Sequence, residues 1–263
     1  MKKIKGEKKQ PIKPLIGNVP DYNFYTSSIK EKICWFIVGF IITGAVLFIF
    51  YENIYVVVIG GIIGGIVFNP IQIKRKINKR KNKLLLQFKD LLEALSTSIG
   101  AGKNIYESFI SANNDLRIQY NDDDYIVLEV QNIIQGLNNN IQIEDLLSNL
   151  AQRSSLDDIA SFASVFSTCY SKGANIKDVI KKTTSVINDK IEIQMEIETM
   201  VSGQKNEQNI MMVMPVIFVL VLKMMGGGLL DLKSPVGIIS VTIAIVIFVL
   251  AYFVSRKILN IRL

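Results

Sequence analysis

The hydrophobic and polar positions of this chain follow two different patterns. Four stretches are apolar and free of charged residues, at 33–50, 54–71, 210–222 and 236–254. The first has eighteen residues and would span about 27 Å as a helix, close to the hydrocarbon thickness of a bilayer. From residue 84 to 201, apolar residues instead recur every three or four positions. The pattern predicts two spanning helices, an amphipathic helical domain and two more spanning helices.

The amphipathic region predicts six helices, because polar or glycine-containing turns interrupt its apolar stripes. The stripes of the first five are Leu84, Phe88, Leu91, Leu92, Leu95 and Ile99; Ile105, Phe109, Ala112 and Leu116; Ile126, Val130, Ile133 and Leu137; Ile143, Leu146, Leu147, Leu150 and Ala151; and Leu156, Ile159, Phe162, Ala163, Val165, Phe166 and Cys169. The fifth helix is apolar on more than one side, which predicts a central position. The sixth begins at Asn175 and meets no helix breaker before Gly203. No β-alternation of useful length is present, so the predicted fold is an all-α membrane protein with a six-helix antiparallel bundle.

Three corners of the predicted bundle share one short phrase. Each has a residue that tolerates a left-handed backbone, a cap candidate two residues later, and an acid three residues after the cap. In chain order these are Gly102, Asn104 and Glu107; Asn140, Gln142 and Asp145; and Gly173, Asn175 and Asp178. Gln142 is the weakest of the three caps. The phrase ends one helix and starts the next, which predicts sharp corners between antiparallel helices.

The second apolar stretch carries four glycines, Gly60, Gly61, Gly64 and Gly65. They form two overlapping pairs of small residues spaced four apart, a pattern that lets another helix approach closely. Two interpretations are open. The glycines pack against the first spanning helix of the same chain, or they form an interface between subunits.

Charge is distributed unevenly over these regions. Residues 1–32 contain eight lysines, three acids and three prolines without apolar periodicity, which predicts a mostly disordered basic tail. Residues 74–83 contain seven Lys or Arg and no acid, directly after a predicted span, which is the positive-inside signature and can also contact anionic lipid. The region 84–209 has ten basic and eighteen acidic residues. Since a nucleic-acid-binding protein would carry its basic residues on the folded domain, we expect no nucleic-acid partner.

The charges also predict an orientation. The basic segments place both termini and the bundle in the cytoplasm, with two short outer loops near Glu52 and Asp231. Hydrophobic residues make up 49% of the chain and charged residues 20%, a mixture that fits spans plus a soluble domain. The two cysteines, Cys34 and Cys169, are too few for a disulfide framework.

Catalytic chemistry finds few candidates in this sequence. There is no histidine, no phosphate-binding glycine loop, no paired-cysteine motif and no acid within a predicted span. We therefore expect no enzyme activity, no cofactor and no metal site. Lys223 is the one ionisable residue predicted at membrane depth. A functional role is one interpretation; the other is a side chain that extends to the outer surface, with Asp231 as a partner.

An acidic helical surface on a membrane-held bundle suits the docking of a protein. The candidate contact residues are Asp90, Glu93, Asp122, Asp123, Asp124, Asp157 and Asp158. The alternative interpretation is that these acids are solvated residues at helix starts, where the helix dipole favours negative charge. The run of acids at 122–124 lacks the glycine and the distal glutamate of a calcium loop.

Together these features resemble the F domain of type II secretion and type IV pilus platform proteins. The likeness covers about residues 70–255 and rests on the opening helix with its Gly100–Gly102 end, the repeated corners, and the long sixth helix that runs into a span. A single bundle between two pairs of spans looks most like the Tad (Flp pilus) branch. Asn140, where a glycine is usual, and the long basic tail depart from the family pattern.

The resemblance implies a non-enzymatic platform in the inner (cytoplasmic) membrane of a bacterium or archaeon. Its bundle would contact a hexameric assembly ATPase and pass motion to pilin or pseudopilin subunits, with itself or a second platform protein as a further partner. The predicted division is a basic tail at 1–32, spans at 33–71, the F-type domain at 72–209, spans at 210–254 and a short tail at 255–263. A small transporter or channel subunit, with Lys223, Pro215 and the glycines at 226–228 at a broken helix, is the alternative.

Overall fold

The computed structural model describes residues 11–51, 53–173, 175–225 and 234–259. All regular elements in these ranges are α-helices, so the predicted all-α class is confirmed. They are α1 Ile29–Tyr51, α2 Ile54–Gly100, α3 Ile105–Gln119, α4 Tyr125–Asn138, α5 Ile143–Ser154, α6 Asp157–Ser171, α7 Ile176–Met224 and α8 Pro235–Leu259.

α2 is longer than the sequence pattern indicates, and α7 is the predicted sixth helix that runs into a span. α2 unites the second apolar stretch, the basic segment and the first amphipathic helix in one element of 47 residues. α7 runs for 49 residues and passes both Gly203 and Pro215. Lysine and arginine are good helix formers, so the basic segment does not end α2. One interior glycine costs only about 1 kcal/mol, so Gly203 does not end α7.

The chain divides into two compact units. The core unit is Met1–Thr26 with Lys74–Ile191, and the apolar unit is Ser27–Ile73 with Glu192–Leu263. Among the described residues, three helices, α1, α2 and α7, are long and apolar enough to cross a membrane, while α8 contributes a shorter apolar stretch, Gly237–Ala251. The predicted outer loops at Glu52 and Asp231 lie outside the described residues, as does Asp231 as a partner for Lys223.

The core unit is held together by the predicted apolar stripes. Phe88 of α2 and Phe162 of α6 are both buried and meet edge to face, with ring centroids 5.5 Å apart. Aromatic pairs in this arrangement contribute about 0.5–1.5 kcal/mol beyond the area they bury. The predicted central position of α6 is wrong, because Val165 is 48% exposed and the helix buries a single face around Phe162 and Phe166.

The three corners adopt the predicted left-handed backbone. Gly102, Asn140 and Gly173 have φ of 85°, 59° and 66°. At the first corner Asn104 and Glu107 form a capping box, with a bond of 2.9 Å from the Glu107 amide to Asn104 Oδ1 and one of 3.3 Å from the Asn104 amide to Glu107 Oε2.

The other two corners are capped less completely. Gln142 precedes α5 without a side-chain cap bond, so the capping role predicted for Gln142 and Asp145 is wrong. A glutamine side chain is one methylene longer than asparagine and is not a preferred cap. Asn175 Oδ1 accepts a bond of 3.2 Å from the amide of Lys177, while the Asp178 carboxylate accepts from the Asn175 side chain instead of its backbone.

Within the apolar unit the four glycines lie against α1. A methyl group added to Gly61 would reach 2.7 Å from Phe40, and one added to Gly65 would reach 2.6 Å from Phe36. A methyl group added to Gly60 would come closer still to Leu47, and one added to Gly64 closer still to Thr43. The close approach that the glycines allow is therefore made within the chain.

Candidate docking surface

Asp90 and Glu93 lie on α2 at the edge of α3. Asp90 accepts a hydrogen bond from the hydroxyl of Tyr120, and the ammonium of Lys89 lies 3.2 Å from Asp90 and 3.5 Å from Glu93. Burial and the Asp90 carboxylate raise the pKa of Tyr120, so its hydroxyl remains a donor. Asp90 thus joins α2 to the end of α3, while the Glu93 side chain is half exposed.

The acids before α4 differ in their surroundings. Asp124 accepts hydrogen bonds from Lys83 and from the Asn121 amide, and the Lys83 ammonium lowers the pKa of that carboxyl. Asp122 pairs with Arg117 at 2.6 Å but remains exposed. Asp123 is exposed and has no partner among the described residues. Of the three, only Asp124 ties two helices together.

The two acids at the start of α6 also differ. Asp158 accepts two bonds from the Lys190 ammonium, at 2.8 and 3.0 Å, and so links α6 to α7. Asp157 points to solvent. The structure therefore assigns Asp90, Asp124 and Asp158 to the packing of helices and leaves Glu93, Asp122, Asp123 and Asp157 exposed.

An acidic groove runs along the exposed side of α2. Asp90 and Glu93 line it together with Asp115 and Ile118 of α3, around a volume of about 390 Å³. Ile118 is 85% exposed, the highest value among the large apolar residues that the structure describes. We call Asp90, Glu93, Asp115 and Ile118 the α2 groove. It brings two of the predicted contact residues together with two that the sequence did not single out.

The prediction of a disordered tail is wrong for residues 11–26, and residues 1–10 lie outside the described residues. Residues 11–26 form an extended strap on the core unit, in which Val19 and Tyr22 are buried. Asp21 shapes the strap by accepting bonds of 2.8 Å from the amides of Ile12 and Asn23. α1 then begins at Ile29, four residues before the apolar stretch.

A buried polar network holds the strap. Arg153 of α5 and Glu129 of α4 form two bonds of 2.6 Å, and their side chains are 1% and 0% exposed. Tyr22 donates its hydroxyl to Glu129 at 2.8 Å, and burial together with this carboxylate raises the Tyr22 pKa well above its ordinary value. Arg153 also donates to the Pro20 carbonyl, and its own carbonyl accepts from the Tyr22 amide. The strap is therefore part of the core that packs α4 against α5.

The basic segment of α2 is divided between the strap and solvent. Lys76 donates to the Tyr25 hydroxyl at 2.8 Å, and Arg80 lies 4.5 Å from the centre of the same ring. Lys81 donates to Asn23 at 2.6 Å, and burial lowers its pKa. Lys83 pairs with Asp124, and the other three cations, Lys74, Arg75 and Lys79, are exposed and have no partner among the described residues. The strap thus binds three of the basic residues for which the sequence predicted roles in orientation and lipid contact.

An apolar cavity of about 300 Å³ lies in the apolar unit beside Pro215. Its lining is apolar throughout: Val46, Phe50, Met212, Pro215, Val216, Ala244, Ile245, Phe248 and Val249. Within the described residues no group of three or more Cys, Asp or Glu side chains is placed to hold a metal ion. No protein-family model matches this chain, and no curated protein or solved structure matches it either.

Proposed function

We propose that this protein is the inner-membrane platform of a machine that assembles a pilus or secretion pseudopilus of the Tad (Flp) or type II kind. In this proposal four spans hold the chain in the membrane and a six-helix antiparallel bundle stands in the cytoplasm. The bundle receives displacement from a hexameric assembly ATPase, and the spans pass it to pilin or pseudopilin subunits. The protein itself performs no catalysis.

The observation that carries the proposal is the continuity of α2 and α7. Each has core-forming residues of the helical unit at one end, such as Leu84 to Leu95 in α2 and Ile180 with Ile187 in α7, and an apolar candidate span at the other. A flexible linker would absorb a displacement, whereas an unbroken helix transmits it along its axis. Two of the three connections between the units, those through α2 and α7, are continuous helices, which also contain Pro70 and Pro215.

The α2 groove is the proposed contact for the ATPase. It combines exposed carboxylates at Glu93 and Asp115 with the exposed Ile118. Charged groups around an apolar centre are the usual anatomy of a transient protein interface. A partner with basic side chains around an apolar pocket would fit it.

The transport alternative finds no support in the cavity beside Pro215. A path for a polar solute requires polar groups that replace its hydration, and the lining has none. The glycines at 226–228 that would complete a broken-helix site lie outside the described residues.

Copurification tests the proposal. The full chain is coexpressed with a hexameric assembly ATPase from the same organism, and the amount of ATPase retained by the solubilised chain is measured. We expect retention by the wild type and its loss in Glu93→Lys/Asp115→Lys. The matched control is Asp123→Lys/Asp157→Lys, which makes the same charge change at two exposed acids elsewhere. No retention by the wild type would refute the proposed function, and equal loss in both variants would refute the groove as the contact.

A further inference from the structure

Two faces of α2 meet different surroundings just beyond its apolar stretch. Lys76, Arg80 and Lys83 follow one another at spacings of four and three, so they share one side of the helix. That side is occupied by Tyr25 of the strap and by Asp124 and Tyr125 at the start of α4. These cations are neutralised or covered by the protein itself.

The adjacent side carries a second set of donors. Arg75, Asn78, Lys79 and Asn82 stand at positions i, i+3, i+4 and i+7, which places them on one helix face. All four are exposed, and Lys74 beside them is exposed as well. We call these four residues the donor stripe.

The donor stripe has charge without an internal acceptor. Arg75 and Lys79 have no partner among the described residues. Along α2 no Asp or Glu occurs before Asp90, which is bound to Tyr120 and Lys89. Arg75 and Lys79 lie one helical turn apart, so their side chains can reach a single anionic group, with the amide nitrogens of Asn78 and Asn82 as further donors.

The position of the stripe identifies the anion. Arg75 stands four residues past the apolar stretch, about 6 Å along the helix axis, so in a membrane-held chain it lies at the depth of the lipid headgroups. Arginine binds phosphate through two parallel N–H bonds, and lysine adds a point charge. We propose that the donor stripe is a binding site for the phosphate of an anionic phospholipid headgroup. This inference rests on the membrane placement in the proposed function, but not on the ATPase contact.

Lipid binding to the full-length chain tests the site. The solubilised protein is titrated with dioleoylphosphatidylglycerol or with zwitterionic dioleoylphosphatidylcholine, and native mass spectrometry counts the retained lipids. We expect preferential retention of phosphatidylglycerol by the wild type. In Arg75→Gln/Lys79→Gln its dissociation constant should rise about 25-fold, since each basic residue near an anionic surface contributes roughly a fivefold effect.

A control variant with the same change in net charge tests whether lipid binding depends on the donor stripe or only on the charge of the chain. Lys181→Gln/Lys182→Gln removes two exposed cations of α7 that belong to the core unit. We expect this variant to bind phosphatidylglycerol as the wild type does. Equal losses in the two variants, or equal retention of the two lipids by the wild type, would overturn the proposal.

Two competitors identify the source of the phosphate. Inorganic phosphate and a single-stranded 20-mer oligonucleotide are each added at the same phosphate concentration as the lipid. We expect neither to displace phosphatidylglycerol. Displacement by inorganic phosphate would make the stripe a soluble-anion site, and displacement by the oligonucleotide would make it a nucleic-acid site; both results contradict the lipid assignment. If phosphatidylglycerol is not retained, ATPase copurification is unaffected. If the ATPase does not copurify, phosphatidylglycerol retention is unaffected.

Discussion

Arg153 and Glu129 form a doubly hydrogen-bonded ion pair in which both side chains are fully buried and both N–O distances are 2.6 Å. The guanidinium also donates to the Pro20 carbonyl of the strap and to Asn149 Oδ1 of α5. A buried pair of this kind is stable only when its remaining polar atoms are satisfied. The strap supplies the Pro20 carbonyl and the Tyr22 hydroxyl, and α5 supplies Asn149, so the pair and the strap depend on each other.

Removal of one partner should therefore be costly. Glu129→Gln leaves the Arg153 charge buried with neutral acceptors only, and we expect a loss of about 3–5 kcal/mol in the free energy of unfolding. Glu129→Leu/Arg153→Met removes both charges. Its loss of unfolding free energy should be smaller than the sum of the losses in Glu129→Leu and Arg153→Met. Denaturant unfolding of the solubilised full chain gives these values. Additive losses would contradict the coupling.

The strap should loosen when Tyr22 loses its hydroxyl. Tyr22→Phe keeps the buried ring but removes the bond to Glu129, which we expect to cost about 1–2 kcal/mol. Hydrogen exchange at the Tyr22 amide, which donates to the Arg153 carbonyl in the wild type, should become faster. Tyr25→Phe removes a hydroxyl from the partly exposed end of the strap and is the matched control. Equally slow exchange at residue 22 in all three proteins would show that the hydroxyl does not hold the strap.

The helices were predictable because the apolar positions alone specify them. Ile126, Val130 and Ile133 form a stripe in the sequence and are buried in the structure. The strap was not predictable in the same way, since it has no periodicity and its order comes from two polar residues far along the chain. A signal was nevertheless present: Glu129 and Arg153 stand on the apolar faces of α4 and α5, where a charge requires a buried partner.

The partners of the candidate contact acids, like the strap, could not be predicted from the sequence. Sequence position places Asp90, Asp124 and Asp158 on helix surfaces, but it does not reveal that Tyr120, Lys83 and Lys190 of neighbouring helices bind them. The α2 groove likewise needs the packing of α3 on α2 before Asp115 and Ile118 join Glu93. Local chemistry, such as the Asn104–Glu107 capping box, follows from short spacing and was predictable.

The Lys83–Asp124 contact should make stability depend on pH. The pKa of Asp124 lies below its ordinary value of 3.8 because Lys83 donates to the carboxylate. The contact therefore stabilises the folded chain at pH values above 3.8. This stabilisation is lost as the pH falls through the lowered pKa of Asp124. We expect Asp124→Asn to be less stable than the wild type above about pH 5, with a difference that shrinks in acid. Apparent melting temperatures across this range measure it.

Asp123→Asn is the control for that series. Asp123 stands one residue earlier, is exposed and has no partner among the described residues. We expect its melting temperatures to follow those of the wild type at each pH. A parallel loss in the Asp123 variant would show that the effect belongs to the helix N-terminus and not to Lys83.

Ser155 has a strained backbone conformation that the sequence does not predict. It ends α5 in the left-handed region with φ of 45°, where a side chain is unfavourable. Ser155→Gly should stabilise the chain by up to about 1 kcal/mol, because glycine adopts this backbone freely. Ser155→Ala keeps the Cβ and loses only the hydroxyl bond to the Gln152 carbonyl, so it should not be stabilising. A higher melting temperature for alanine than for glycine would contradict the strain.

The proposed transmission of displacement depends on α7 remaining one helix between Ile187, which is buried in the core unit, and the apolar run that begins at residue 210. Ile197→Pro removes the backbone donor to residue 193 and brings the proline ring against that carbonyl, which costs about 3 kcal/mol or more and kinks the helix. Ile197→Ala removes a similar amount of apolar side chain but keeps the helix. We expect both variants to insert into the membrane and to retain the ATPase, while only the proline variant loses assembly, measured as pilin recovered outside the cell. Because the core unit and the spans are intact in both, wild-type assembly by Ile197→Pro would exclude α7 as the element that carries the displacement.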